Sequence, residues 1–335
     1  MNIKKIGLSA LAGSLAVVSA NAVELTVTGK TEVTYVSNEG STGNPFGMGN
    51  SIGFTGTGDV NGMTATYFAA IGDQGQANSS TSETFASASL MLDMGDMGTI
   101  GFDQGVGEFG VGTIDDKTPY AYEEQWSYTG ASNGLRAAGG TNALGYKNTI
   151  AGYTLSLEID PGHSATTGGT GDGSTAGASA TDHGFNFAIT GSPAEGVNAG
   201  IGYGQEEADG DNSPADSDAT FYTAYANYAF GAATVGLQRS SGNGGATGTA
   251  SNEVIIYGVS YAVNENLSIS YSEMENEFGT GNVATAGAVT EDTKGIGASY
   301  TMGSASIRVL NSKTDNLAGS STDVKHTEVS LMLAF

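Results

Sequence analysis

The chain has 335 residues, with 53 Gly, 5 Pro, no Cys, and 11 Lys+Arg against 35 Asp+Glu. A formal charge of −24 excludes a cationic nucleic-acid surface, and the lack of Cys excludes disulfides, thiolate metal sites and a cysteine nucleophile. Gly at this density disfavours long helices, and 15 Tyr with 12 Phe disfavour disorder, which leaves an all-β protein.

Residues 1–22 read as a secretory signal peptide. Lys4 and Lys5 precede an apolar run from Ile6 to Val18, and Ala20-Asn21-Ala22 supplies a small-x-small cleavage site. The run is short for a membrane helix. Removing 22 residues from 335 leaves 313, beginning at Val23 and forming one domain, with 9 bases against 35 acids and a formal charge of −26.

From Glu24 onward, polar and apolar residues exchange with period two, the strand signature. Leu25, Val27, Val33 and Tyr35 share one face of the first segment, with Lys30 and Glu32 on the other. Sixteen segments follow this rule: Glu24–Val36, Asn50–Gly58, Met63–Gly72, Glu83–Leu92, Met97–Gln104, Thr141–Thr149, Gly152–Asp160, Asp182–Gly191, Val197–Glu206, Asp218–Ala229, Ala232–Ser240, Asn252–Ala262, Asn266–Glu275, Asp292–Thr301, Ala305–Ser312 and Lys325–Phe335. Their connections alternate between tight turns, such as Asp59–Gly62 and Met302–Ser304, and long Gly/Ser/Thr/Asn/Asp-rich loops, such as Pro161–Thr181 and Asn276–Glu291. An even strand number with short turns at one end and long loops at the other predicts a transmembrane β-barrel. A sheet in lipid must close so that every backbone group is paired. The phase assigns Leu155, Leu157, Val235, Ile307 and Leu331 to the lipid face, and Ser156, Glu158, Gln238, Ser306 and Arg308 to a wet lumen. Tyr228, Phe230, Tyr261, Tyr300 and Phe335 fall at the short-turn end, as an aromatic girdle would.

The last segment alternates Val329, Leu331, Leu333 and Phe335 with Glu328, Ser330, Met332 and Ala334, and the sequence stops at Phe335. It resembles the closing strand of Gram-negative outer-membrane proteins, although Thr327 stands where an aromatic is usual. The stretches Asn227–Leu237, Gly258–Ile269 and Met97–Gly101 resemble strand–turn–strand units and the third-loop entry of the general porin family. Phe102 and Asp103 follow where the family often carries Arg. The resemblance covers nearly all of the chain after residue 22. It implies a 16-stranded homotrimeric outer-membrane barrel, whose Phe335 is read by the barrel-assembly machinery and whose third long loop folds inward.

That loop is Gly105–Gly140, the longest connection, and a loop of this length inside a domain is usually functional. Its acids Glu108, Asp115, Asp116, Glu123 and Glu124, against Lys117 and Arg136, are the expected pore constriction. Lys30, Glu32, Lys147, Glu158 and Arg308 are the expected pore-lining charges. Bases are scarce among them, so the resemblance is expected to hold without the family's arginine cluster. Acidic rings favour cations.

Other motifs carry less. Gly105–Gly110 fits G-x-G-x-x-G without the βαβ context that a dinucleotide site needs. His163, His183 and His326 are the only histidines; with no Gly-x-Ser-x-Gly elbow they read as solvated surface residues, not catalysts. Asp209, Asp211, Asp216 and Asp218 are candidate oxygen ligands for a divalent cation, but their spacing is not that of an EF-hand, and no metal site or cofactor is expected. The reading is a passive, cation-preferring channel for small hydrophilic solutes, not an enzyme. The alternatives are a substrate-selective porin or a secreted calcium-binding β-rich adhesin, which would need a short Gly/Asp repeat.

Overall fold

The computed structural model of the protein describes residues 24–38, 43–71, 85–126, 141–160, 163–164, 180–181, 183–206, 218–242, 252–278 and 290–335. The signal-peptide segment, Arg136, Asp209, Asp211 and Asp216 lie outside them. The strands run β1 (Glu24–Asn38), β2 (Phe46–Val60), β3 (Met63–Ile71), β4 (Phe85–Asp93), β5 (Thr99–Gln104), β6 (Thr141–Ile150), β7 (Tyr153–Asp160), β8 (His163–Ser164), β9 (Ala180–Thr181), β10 (Gly184–Ala194), β11 (Val197–Glu206), β12 (Ala219–Phe230), β13 (Ala233–Gly242), β14 (Asn252–Ala262), β15 (Leu267–Phe278), β16 (Glu291–Met302), β17 (Ala305–Asp315) and β18 (Val324–Ala334). Among the described residues, sixteen strands close one antiparallel barrel in the order β1-β18-β17-β16-β15-β14-β13-β12-β11-β10-β7-β6-β5-β4-β3-β2. The pair β8–β9 forms a separate two-stranded ladder inside the long Pro161–Thr181 connection.

Closure removes the sheet edges that would otherwise carry unpaired amide groups. The seam joins the first strand to the last, with Lys30 opposite Ala334 and Asn38 opposite His326. Beyond β18, the Phe335 amide donates to the Gly29 carbonyl at 2.9 Å, and the Gly29 amide donates back to the Phe335 carbonyl at 2.8 Å. A Cβ on Gly29 would collide with the Phe335 ring, so this position must be Gly for the terminal aromatic to lie over the seam. At this same short-turn end, Asn61-Gly62 takes φ 56° and 83°, and Ala151-Gly152 takes φ 52° and 85°. These are two-residue turns with both central residues at positive φ, whose twist matches that of a hairpin.

The outer wall is apolar and open. Leu25, Phe46, Ile201, Leu237 and Ile296 are all exposed, and their strand neighbours Gly202, Gln238 and Gly297 are buried on the other face. A wall-wide apolar surface does not suit water, but it suits hydrocarbon. The inner wall departs from a purely polar lumen in two patches. Val111 and Ile114 pack against Ala188, Phe221 and Tyr225, and Trp126 packs against Val254, Ile256 and Met274. Apolar side chains point inward where the segment after β5 covers them.

Candidate functional site

Residues 105–126 run along the inside of the wall. Asp103, buried at the end of β5, starts the turn by accepting the amides of Val106 (2.7 Å) and Glu108 (2.6 Å). A short 3₁₀ turn follows at Gly110–Ile114. The segment then hydrogen-bonds to inward side chains in barrel order. The Gly110 amide donates to Ser156 Oγ on β7 (2.8 Å), and the Val111 amide to Asn186 Oδ1 on β10 (2.6 Å). Asn227 Nδ2 on β12 donates to the Lys117 carbonyl (2.6 Å). Gln238 on β13 accepts the Lys117 amide (2.8 Å) and donates to the Ile114 carbonyl (3.1 Å). The Ala121 amide reaches Ser270 Oγ on β15 (2.9 Å). Close approach needs wall positions without side chains. A Cβ on Gly145 would enter the Phe109 ring, and one on Gly236 would meet Pro119.

The segment reaches the seam at Tyr122. Its hydroxyl lies 2.7 Å from Glu328 Oε1 on β18 and 3.0 Å from Glu32 Oε1 on β1. The Arg308 guanidinium stacks on its ring, 4.4 Å from the centroid, and pairs with Glu32; Arg308 Nε also donates to Ser330 Oγ at 3.1 Å. Behind this cluster, His326 is fully buried, with Nε2 3.5 Å from Glu328 and Nδ1 2.6 Å from Asn38 Oδ1. The expectation of a solvated His326 is therefore corrected: its strand phase turns it inward, under neighbouring side chains.

The other expected residues separate into three groups. Glu108 is held by Lys147, at 3.0 Å. Asp115 is exposed, and Asp116 adopts a positive φ of 47°. Both approach Tyr120 together with Glu124; burial and these three carboxylates push the Tyr120 phenol up to about 12. Burial, with Glu328, Glu32 and Glu124 nearby, pushes the Glu123 carboxyl up to about 7 against the opposing pull of Arg308. Glu158 points inward as its phase requires, but it is buried beside Gly110 rather than lining open water. Lys30 is exposed near the seam. Asp218 accepts a hydrogen bond from Gln205 Nε2 at 2.9 Å, and among the described residues no three His, Asp or Glu are grouped to hold a metal. Ser156, Asn186, Gln238, Ser270, Tyr122 and Glu328 anchor the segment. The inward phase of the five wall residues among them was readable in the sequence, but their partners on the segment, up to 206 residues away, were not.

The wall facing the segment has its own signature. Strands β2, β3, β4 and β5 contain neither Lys nor Arg. The arginine cluster expected in related barrels at that wall is absent from these strands.

A family model described as Gram-negative porin matches residues 7–309. Among solved structures, OmpF of Salmonella typhi in complex with daunomycin aligns with a TM-score of 0.69 at 14% identity, covering 93% of this chain and 97% of that one. The anion-selective porin from Comamonas acidovorans aligns at 0.65 and 13% identity, covering 94% and 100%. A mutant Rh. blastica porin aligns at 0.63 and 18% identity, also covering 94% and 100%. No curated protein sequence matches the chain.

Proposed function

Because this chain belongs to the Gram-negative porin family, a family of channels and not enzymes, we propose that it is a water-filled, cation-preferring pore for passive diffusion of small hydrophilic solutes across the outer membrane. An anion-selective porin shares the fold, so the sign of selectivity has to come from this chain's own charges.

One observation carries the reading. Strands β2–β5 offer no base, and two of the three expected lumen bases of the wall are engaged by carboxylates, Lys147 by Glu108 and Arg308 by Glu32, which leaves Lys30 near the seam. Asp115, Asp116, Glu123 and Glu124 then outweigh Lys117 along the narrowed path, in a low-dielectric ring that concentrates their field. Cations are attracted there and anions repelled. The test is reversal potential across a salt gradient in a planar bilayer, for the wild type and for D115N/D116N/E123Q/E124Q. The reading expects a cation-selective wild type and a shift toward anions in the variant.

Three further features belong to the same proposal. Cleavage after Ala22 starts the exported chain at Val23. Phe335, zipped to Gly29 across the seam, serves as the terminal signal for the barrel-assembly machinery. The barrel works as a homotrimer in outer-membrane lipid. N-terminal sequencing, a Phe335 deletion and a native gel test these in turn. A substrate-selective pore has no specific support in the described lumen. The adhesin alternative is set aside, since a closed barrel is not a repeat solenoid.

A further inference from the structure

We propose that the short-turn end of the seam is a docking edge for a basic, extended peptide segment of a periplasmic protein, which adds as a strand along Glu24–Thr28 in line with β18.

The strand register opens this edge. On one side, β1 pairs with β2 all the way down to Glu24 opposite Thr57. On the other side, its register with β18 starts only at Lys30 opposite Ala334, and the two amide bonds between Gly29 and Phe335 form the last rung. Among the described residues, no strand pairs with the β18 side of Glu24–Thr28. The direction of hydrogen bonding alternates along an antiparallel strand. Gly29 turns its amide and carbonyl toward β18, so Val27 and Leu25 turn theirs the same way. Two donors and two acceptors therefore line about 14 Å of edge, at roughly 3.4 Å per residue.

Open edges are usually guarded by Pro, a bulge or a charge. The stretch Glu24-Leu25-Thr26-Val27-Thr28 has no Pro and no register shift against β2. Three of its residues are β-branched, which suits an extended strand. Its outward side chains, Leu25 and Val27, are 66% and 55% exposed. Unpaired backbone groups do not suit hydrocarbon. These lie beyond Phe335 in the direction of the short turns, at the periplasmic interface, where an extended segment can reach them. Strand addition of this kind takes its affinity from main-chain bonds and its specificity from alternate side chains.

Phase and charge describe the partner. Residues directly opposite each other share a face of the sheet. Small apolar residues therefore suit the positions opposite Val27 and Leu25, and a polar residue suits the position opposite Thr26. Glu24 begins the edge, Asp59 lies two residues past its partner Thr57, and Asp93 and Asp96 flank the turn after β4. Asp59 and Asp93 accept the Gly62 and Gly95 amides of their own turns and keep their charge. Lys30 is the one base of β1–β5. A segment with basic residues opposite and beyond Glu24 meets carboxylates there, and this complementarity fixes its direction.

The test is fluorescence anisotropy of a labelled peptide, acetyl-Thr-Val-Thr-Val-Lys-Lys-amide, titrated with the full barrel in detergent. Wild type binds it saturably, one per protomer. The same peptide N-methylated at both Val residues keeps its charge but loses the donors to the Val27 and Leu25 carbonyls, and binds at least tenfold more weakly. Glu in place of both Lys residues gives a loss of similar size. The Val27 amide faces the open side rather than β2, so V27P leaves the ladder whole; it forms a barrel of normal conductance and loses at least tenfold in peptide binding. If V27P does not fold, the N-methylated peptide on the wild type decides. Conductance is only the folding check, so failure here leaves the channel reading standing. Equal binding of the N-methylated peptide, unchanged binding by V27P, or no saturable binding overturns the proposal. Edge-to-edge pairing of two barrels that V27P abolishes also overturns it, because a second copy is then the occupant.

Discussion

Replacing Tyr122 by Phe should loosen the inward segment without unstacking it. The ring remains under Arg308, 4.4 Å from its guanidinium, and keeps that cation–π contact. The hydroxyl that serves Glu328 at 2.7 Å and Glu32 at 3.0 Å is lost. One hydroxyl hydrogen serves one acceptor at a time, so the loss is one charge-assisted bond, about 1.5–3 kcal/mol. Glu32 keeps its Arg308 partner, which places the expected change at the lower end, about 2 kcal/mol, or roughly 30-fold in the docked-to-undocked ratio. Y122A removes a buried ring as well and should cost about 3–5 kcal/mol. The assay is urea unfolding of the folded barrel followed by unheated gel mobility, with single-channel recording for excess closing noise. A cycle with E328Q should give a coupling of about 1 kcal/mol or more. A Y122F barrel with unchanged midpoint, unchanged noise and no coupling to E328Q would refute the role of Tyr122 as the clasp at the seam.

Other consequences are read directly. G145V places side-chain atoms where the Phe109 ring lies, so it should displace the start of the segment and change conductance; identical conductance in a folded G145V barrel contradicts this packing. I201R, on the lipid face, should cost about 2–4 kcal/mol near the midplane, while T190R, pointing inward beside Ala188 and Glu108, should cost much less; equal losses would mean a wrong strand phase. Glu123 is neutral below about pH 7 and charged above it, so cation preference should weaken as pH falls through 7, and E123Q should remove that step. The raised value also means that the folded barrel tolerates the neutral form better. Its contribution to stability is therefore present at low pH and is lost as pH rises through about 7.

The barrel was legible because its solvent is lipid outside and water inside, so period two appears in nearly every strand. Only boundaries moved: β2 starts at Phe46 rather than Asn50, since Phe46 and Met48 hold the outward phase through a Gly-rich stretch. The inner wall was harder to read. Phe221, Val254 and Ile256 break the polar-inside rule because the segment from β5 covers them, and Glu158 is buried beside Gly110 for the same reason. Glycines that leave room for Phe109 and Pro119 look in sequence like weak strand positions. The clasp joins Glu32, Tyr122, Arg308 and Glu328, which share no local pattern. The scarcity of bases was visible throughout, as the run from Thr31 to Asp116 contains neither Lys nor Arg. Its meaning came from the topology, which sets β2–β5 opposite the acidic segment.

The most direct measurement compares two sets of carboxylates by reversal potential across a salt gradient. One variant is D115N/D116N/E123Q/E124Q on the inward segment, and the other is E206Q/E207Q/D209N/D211N around the connection after β11. Both replace four carboxylates, and the comparison is made above pH 7, where Glu123 is charged as well. Ions in a narrow opening pass well within the Debye length of about 8 Å at physiological salt, while charges on distant loops are screened. The account predicts a cation-selective wild type, a larger shift toward anions in the first variant, and loss of the second variant's smaller shift at high salt. An anion-selective wild type, or a larger shift from the second variant, would contradict it.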